Sequence, residues 1–138
     1  MSERLFTPDE VNRLIPRLTE LIEAAVERHG QALALQERLE EDRARVAASG
    51  GERIDSMEWK ARAERLDGLG IEVRQILQQL LDLGGVVKDL EMGLVDFPGR
   101  GPAELGGQVV NLCWKLGEDL VRFWHGMDEG YAKRKPLP

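Results

Sequence analysis

Apolar residues in the first third of the chain recur every seven positions, as they do along one face of a long helix. Thr7, Pro8 and Glu10 precede the series in the order of a capping box with proline at the first helical position. The spacing therefore predicts a helix over residues 8–48 with a coiled-coil-like seam, bent near Pro16 because proline lacks a backbone donor. The seam consists of Val11, Leu18, Ala25, Ala32, Leu39 and Val46.

A second helical pattern follows the Ser-Gly-Gly stretch at residues 49–51. Asp55 and Glu58 offer another capping box, and the spacing predicts a helix over residues 56–83. Two long seams joined by a short polar turn indicate an antiparallel helical hairpin. The second seam consists of Trp59, Leu66, Val73 and Leu80.

The two predicted helices differ in length, at roughly 60 Å for the first and roughly 40 Å for the second. The first turns of the longer helix therefore lie beyond the shorter one, although Val11, Leu14, Leu18 and Leu21 there need burial. Either the C-terminal segment or a second subunit must cover them. The leading hypothesis from this mismatch is a non-enzymatic, self-associating protein-interaction module, expected to be a homodimer.

After the glycine pair at 84 and 85 the apolar spacing changes to every second residue, which is typical of β-strands. The fold class expected is mainly α (α+β), with the long hairpin followed by a small antiparallel β-meander over residues 86–125, in a single domain. A Pro-Gly loop is expected over residues 98–102, and a basic surface tail over 126–138. A short helix also fits the spacing over residues 118–128. The predicted strands cover residues 86–97, 109–116 and 120–125.

The meander places polar side chains on one face of the sheet, because side chains alternate along each strand. Matching the apolar faces pairs Leu90, Met92 and Leu94 of the first strand with Val110, Leu112 and Trp114 of the second. The opposite face then holds Asp89, Glu91, Asn111, Cys113, Lys115, Phe123 and His125.

Carboxylates, a thiol and an imidazole on one face suit a metal site or an acid–base pair. The candidate catalytic residues are His125, Asp89, Glu118 and Cys113, and the candidate metal ligands are His125, Glu91 and Asp89. No cofactor is identified by the sequence.

The alternative without a functional site is a solvated sheet face on which these residues have no joint role. Cys113 is then a small buried hydrophobe, and His125 is hydrogen-bonded to a carboxylate such as Asp128. Asp96, at a predicted strand end before Phe97-Pro98, is interpreted as a turn-forming carboxylate.

Composition excludes several classes of function. The net charge of −6 argues against nonspecific binding of nucleic acid or anionic membranes, which requires a basic surface. The single cysteine excludes an internal disulfide and favours a reducing compartment. Without a signal peptide or a long apolar run, we expect a cytoplasmic protein. An acidic hairpin tip around Asp42 and Asp55 is a third, weaker hypothesis for binding a larger enzyme.

Three blocks of the C-terminal half carry a family resemblance. They resemble the signature of an uncharacterised bacterial family, number 2203 among the domains of unknown function. At Asp119 the chain departs from the proline that the family often shows there. The resemblance implies a small stand-alone bacterial protein and brings no activity with it. The blocks are residues 88–98, 112–118 and 123–134.

Overall fold

The computed structural model describes residues 4–50, 56–103 and 106–138. Two long helices are followed by a five-stranded antiparallel sheet with the strands in chain order, so the predicted fold class is confirmed. No helix in the described part of the chain is both long and apolar enough to cross a membrane. The elements are α1 (Pro8–Ser49), α2 (Ser56–Leu83), β1 (Val86–Asp89), β2 (Leu94–Arg100), β3 (Val109–Lys115), β4 (Phe123–His125) and β5 (Lys135–Pro136).

Both helices have the predicted bounds within one residue. The Thr7 hydroxyl accepts a hydrogen bond from the Glu10 backbone N–H at 3.1 Å, and the Glu10 carboxylate accepts from the Thr7 N–H at 3.0 Å. The capping box is thus formed, and Gly50 ends α1 with a positive φ of 73°. The second predicted capping box depends on Asp55, which lies outside the described residues.

A buried ion pair joins the far halves of the two helices. Asp42 of α1 is 2 % exposed. Its carboxylate accepts from Arg62 of α2 at 3.0 Å, and Arg45 approaches it at 3.2 Å. This carboxylate of the predicted acidic tip is therefore paired within the hairpin.

The single strand predicted over residues 86–97 is two strands. Residues 90–93 turn the chain between β1 and β2, with Gly93 at a φ of +68° and the Asp89 carboxylate accepting from the Met92 N–H at 2.9 Å. The predicted pairing of Leu90, Met92 and Leu94 with β3 is consequently wrong, because the first two lie in the turn and Leu94 pairs with Lys115. Trp114 pairs with Val95.

Residues 98–100, predicted to be loop, continue β2. The Pro98 carbonyl accepts from the Phe6 N–H at 2.7 Å, on the side of the strand away from β3. Proline has no backbone N–H, but at Pro98 that group would face the same side, beyond the end of β1. No hydrogen bond between strands is therefore lost there.

The C-terminal segment also departs from the prediction. The third predicted strand, over residues 120–125, shortens to β4. The expected surface tail returns as β5, whose Lys135 pairs with Trp124. A bond from the Leu137 N–H to the Arg122 carbonyl, at 2.7 Å, extends this attachment.

The apolar face of the sheet covers the first half of α1, which answers the length mismatch between the helices. Val11, Leu18 and Leu21 are buried in one cluster with residues of β2, β3 and β4. The C-terminal segment therefore supplies the cover that the sequence required. Its sheet residues in the cluster are Val95, Phe97, Val110, Leu112, Trp114 and Trp124.

Candidate functional site

Strand register places a row of polar side chains on the sheet face that turns away from α1. Asp96 pairs with Cys113, which pairs with Phe123, and Asn111 in the next row pairs with His125. Residues paired directly across antiparallel strands share a face. The predicted common face of Asn111, Cys113, Phe123 and His125 is therefore present, and Asp96 joins it.

Three of these residues converge. One donor atom each from Asp96, Cys113 and His125 lies within 4.8 Å of the other two. All three residues are buried, with exposures of 2 %, 1 % and 3 %. Among the described residues, this is the group of acidic, thiol and imidazole side chains close enough to hold a metal ion.

The orientation of His125 is fixed by its own backbone neighbour. Nδ1 lies 3.0 Å from the Gly126 carbonyl oxygen, which can only accept, so Nδ1 carries the proton. In the neutral ring Nε2 then presents a lone pair, and it lies 2.9 Å from Asp96 Oδ2. Two acceptor atoms then face each other, a repulsion that a proton on Nε2 or a bound cation would relieve.

Within the described residues the Asp96 carboxylate makes no hydrogen bond of normal geometry, and the neighbouring Cys113 thiol is a weak donor. Despite the 2.9 Å separation from Nε2, the two groups are not aligned as a hydrogen bond, and both Asp96 oxygens lack a partner in the described part of the chain. A buried carboxylate in this state is costly. A cation held by Asp96 and His125 would relieve this cost.

Cys113 is a neutral thiol when nothing is bound. Burial and, to a smaller extent, the Asp96 carboxylate raise the pKa of Cys113 from 9.0 to about 11, against the opposing effect of Arg134. A Cys–His–Asp nucleophilic triad needs the thiol and the carboxylate at opposite ring nitrogens. Here Nδ1 of His125 is bonded to Gly126 and Nε2 faces Asp96, so no ring nitrogen is left for the thiol proton.

Arg134 packs beside the thiol. Its Nη1 lies 3.9 Å from Cys113 Sγ, and its guanidinium makes two bonds of 3.2 Å to the carboxylate of Glu118. The same guanidinium stacks over the rings of Phe123 and Tyr131, at 4.0 Å and 4.6 Å from their centroids. This packing holds a positive charge next to the sulfur.

The remaining predicted candidates lie elsewhere. Asp89 accepts from the Met92 N–H in the turn before β2, Glu91 is exposed in that turn, and Glu118 accepts from Arg134. The structure does not bring these three carboxylates into the buried group.

Asp96 is absent from the candidates predicted from the sequence, because it was interpreted there as a turn-forming carboxylate. That interpretation is wrong. It lies inside β2 between the buried Val95 and Phe97. A carboxylate that alternates with two buried apolar residues is the signal that would have indicated it.

Two cavities meet at this group. The smaller, about 140 Å³, is lined by Cys113, His125 and Tyr131 among others. The larger, about 480 Å³, lies between β1, β2 and the end of α2. Both are lined by Lys88, Asp96, Asn111 and Met127.

The family described as "Uncharacterized conserved protein (DUF2203)" has a model that matches residues 4–137. The chain belongs to the DUF2203 family. This confirms the resemblance read from the C-terminal blocks and extends it over both helices. The DUF2203 match covers Asp96, Cys113 and His125. No curated protein and no solved structure matches the chain.

Proposed function

We propose that this DUF2203 protein binds a thiophilic divalent metal ion, in the first place Zn²⁺, through Asp96, Cys113 and His125. The observation that carries the proposal is the buried Asp96 carboxylate, which makes no hydrogen bond of normal geometry within the described residues and lies 2.9 Å from Nε2 of His125. A divalent ion supplies the missing positive charge.

The donor set suits zinc. Thiolate, imidazole and carboxylate are its usual ligands, at roughly 2.0–2.3 Å from the ion. Neighbouring groups hold the proposed ligands in place, since the Gly126 carbonyl orients the ring of His125 and Arg134 lies against the sulfur of Cys113. Metal binding would expel the thiol proton of Cys113, because the thiolate is the ligand.

Three protein ligands leave one position of a tetrahedral ion open. Open positions are typical of catalytic zinc, which polarises a carbonyl group or activates water, whereas structural sites are closed by four protein ligands. The adjoining cavities give a small molecule access to that position. We therefore favour a metal-dependent ligand-binding or hydrolytic function.

The experiment is metal analysis of protein purified without an affinity tag and then dialysed against zinc. We expect one zinc ion per chain, lost in His125→Ala and in Cys113→Ser and retained in the control His29→Ala, which changes the other histidine. Cobalt substitution adds a test of the ligand type, because a thiolate-to-cobalt charge-transfer band should be present and absent from Cys113→Ser. Zinc content that does not depend on His125 would refute the proposal.

Self-association stays a second candidate, supported by a different part of the molecule. The sheet covers the N-terminal turns of α1, so a second subunit is not needed to bury them. The hairpin, however, leaves Leu33 of α1 and Ile71 of α2 exposed at 45 % and 48 %. Two helices can cover only one face of each other, and a second hairpin would cover these residues. Light scattering tests this, and a strict monomer at micromolar concentration would contradict it.

A further inference from the structure

The larger cavity is an apolar cleft beside the proposed metal site. Its volume of about 480 Å³ is within the range of roughly 300–1,000 Å³ that small-molecule sites occupy. Leu81, Val86 and Met127, which line it, are among the large apolar residues that the fold leaves exposed, at 52 %, 40 % and 57 %. Exposed apolar side chains gathered around one cleft indicate a ligand with an apolar body.

The polar part of the cleft lies at its junction with the metal site. Asn111 is only 9 % exposed, and its side-chain amide makes no hydrogen bond within the described residues. Asp96 lies next to it on the same sheet face. An amide that reaches both cavities, beside an open metal position, offers donor and acceptor groups to the polar end of a ligand.

The residues that line both cavities include one cation, Lys88, while the Asp82 carboxylate lines the larger cavity alone. Lys88 lines both cavities and has no ion-pair partner within the part of the chain that the structure describes. Arg4, the other cation of the cleft, is already bonded to Glu10 at 2.9 Å. A zinc ion bound by the Asp96 carboxylate and the Cys113 thiolate carries no net charge. The ligand end near the metal therefore meets one unpaired positive charge.

We propose that this cleft binds a small monocarboxylate with an apolar body. The carboxylate occupies the open position of the metal and pairs with Lys88, Asn111 donates a hydrogen bond to it, and the apolar body fills the cleft. One unpaired cation matches a monoanion, whereas a phosphate monoester is recognised by several donors and cations together. The inference rests on the proposed metal site.

The test is calorimetric titration of the zinc-loaded protein with acetate, butanoate, hexanoate and octanoate, and with octyl phosphate as a comparison. We expect the dissociation constant to fall by about fourfold for each methylene group that enters the cleft. Lys88→Gln and Asn111→Ala should each weaken octanoate binding by about tenfold, as expected for a lost charge-assisted bond, without lowering the zinc content. Lys60→Gln, which removes an exposed lysine of α2, is the matched control and should change neither.

The outcomes separate this inference from the metal site. Stoichiometric zinc without octanoate binding would overturn the carboxylate cleft and leave the metal site standing, whereas absence of zinc would refute the proposed function itself. Equal octanoate affinity in the wild type, Lys88→Gln and the zinc-free protein would show that the carboxylate is not recognised. Tighter binding of octyl phosphate than of octanoate would refute the ligand class.

Discussion

Asp96→Asn should affect the stability of the chelated and the zinc-loaded protein in opposite directions. In chelator, the wild-type carboxylate is buried without a hydrogen bond of normal geometry, a state that costs about 1–3 kcal/mol. The amide of the variant can donate an N–H to the Nε2 lone pair of His125, which now lies 2.9 Å from Oδ2. We therefore expect the free energy of unfolding to rise by about 1–3 kcal/mol in the chelated variant.

Zinc should reverse that order. A ligand at a thousand times its dissociation constant stabilises the folded state by about 4 kcal/mol. The wild type should gain this amount and Asp96→Asn should gain little, because an amide is a poor substitute for a charged ligand. The wild type is then the more stable protein in zinc and the less stable one in chelator.

The assay is urea unfolding followed by circular dichroism, in chelator and in excess zinc. Asp128→Asn, which changes an exposed carboxylate in the turn after β4, is the control and should change the stability by less than about 0.5 kcal/mol in either condition. A loss of about 3–5 kcal/mol for Asp96→Asn in chelator would refute the reasoning. It would mean that a protonated His125 already pairs with Asp96 and that a proton, not a metal ion, fills the gap.

Three further predictions concern the chain without metal. Folding raises the pKa of Cys113 from 9.0 to about 11, so the thiol's contribution to stability is complete below about pH 9 and is lost as the pH rises through about 11. Urea unfolding across this window should show a decline in the free energy of unfolding that Cys113→Ser lacks. Identical profiles in the two proteins would contradict this prediction. Arg62→Leu, which removes the 3.0 Å partner of the buried Asp42 carboxylate, should lower the free energy of unfolding by about 1–3 kcal/mol, and an unchanged urea midpoint would show that the other arginines suffice. Gly99→Ala would bring a Cβ within 2.7 Å of a backbone oxygen and should lower the melting temperature, whereas Gly30→Ala, in open space within α1, should raise it; the reverse order in calorimetry would refute this packing.

Local signals explain why the helices were predictable. The capping box at Thr7 and Glu10, the seven-residue repeats and the glycines at 50, 84 and 85 act within one or two turns of chain, so the sequence states them directly. The change to a two-residue period after Gly85 likewise marked the start of the sheet. The shared face of Asn111, Cys113 and His125 followed from this period in β3 and β4.

Which residues meet at the site depends on the pairing of strands, and the two-residue period of the sequence does not show that pairing. The register shifts between Val87 and Asp89, and a turn then separates β1 from β2, so Asp89 and Asp96 are not on one continuous strand. Each such irregularity changes which side chains share a face. The convergence of Asp96 with His125 requires the pairing of β2 with β3 and of β3 with β4, which is tertiary information.

The tail was misjudged for a related reason. Lys135–Pro136 is too short and too polar to read as a strand, and it is held by pairing with β4. Arg134 is likewise a basic residue that the sequence places on the surface. Its stacking on Phe123 and Tyr131 and its bonds to Glu118 bring it to the thiol.

X-ray absorption at the zinc edge of the untagged, zinc-loaded protein identifies the atoms bound to the metal. The account predicts one sulfur neighbour at about 2.3 Å and nitrogen or oxygen neighbours at about 2.0–2.1 Å, with the sulfur lost in Cys113→Ser. A shell of nitrogen and oxygen atoms alone in the wild type would contradict a site built from Asp96, Cys113 and His125.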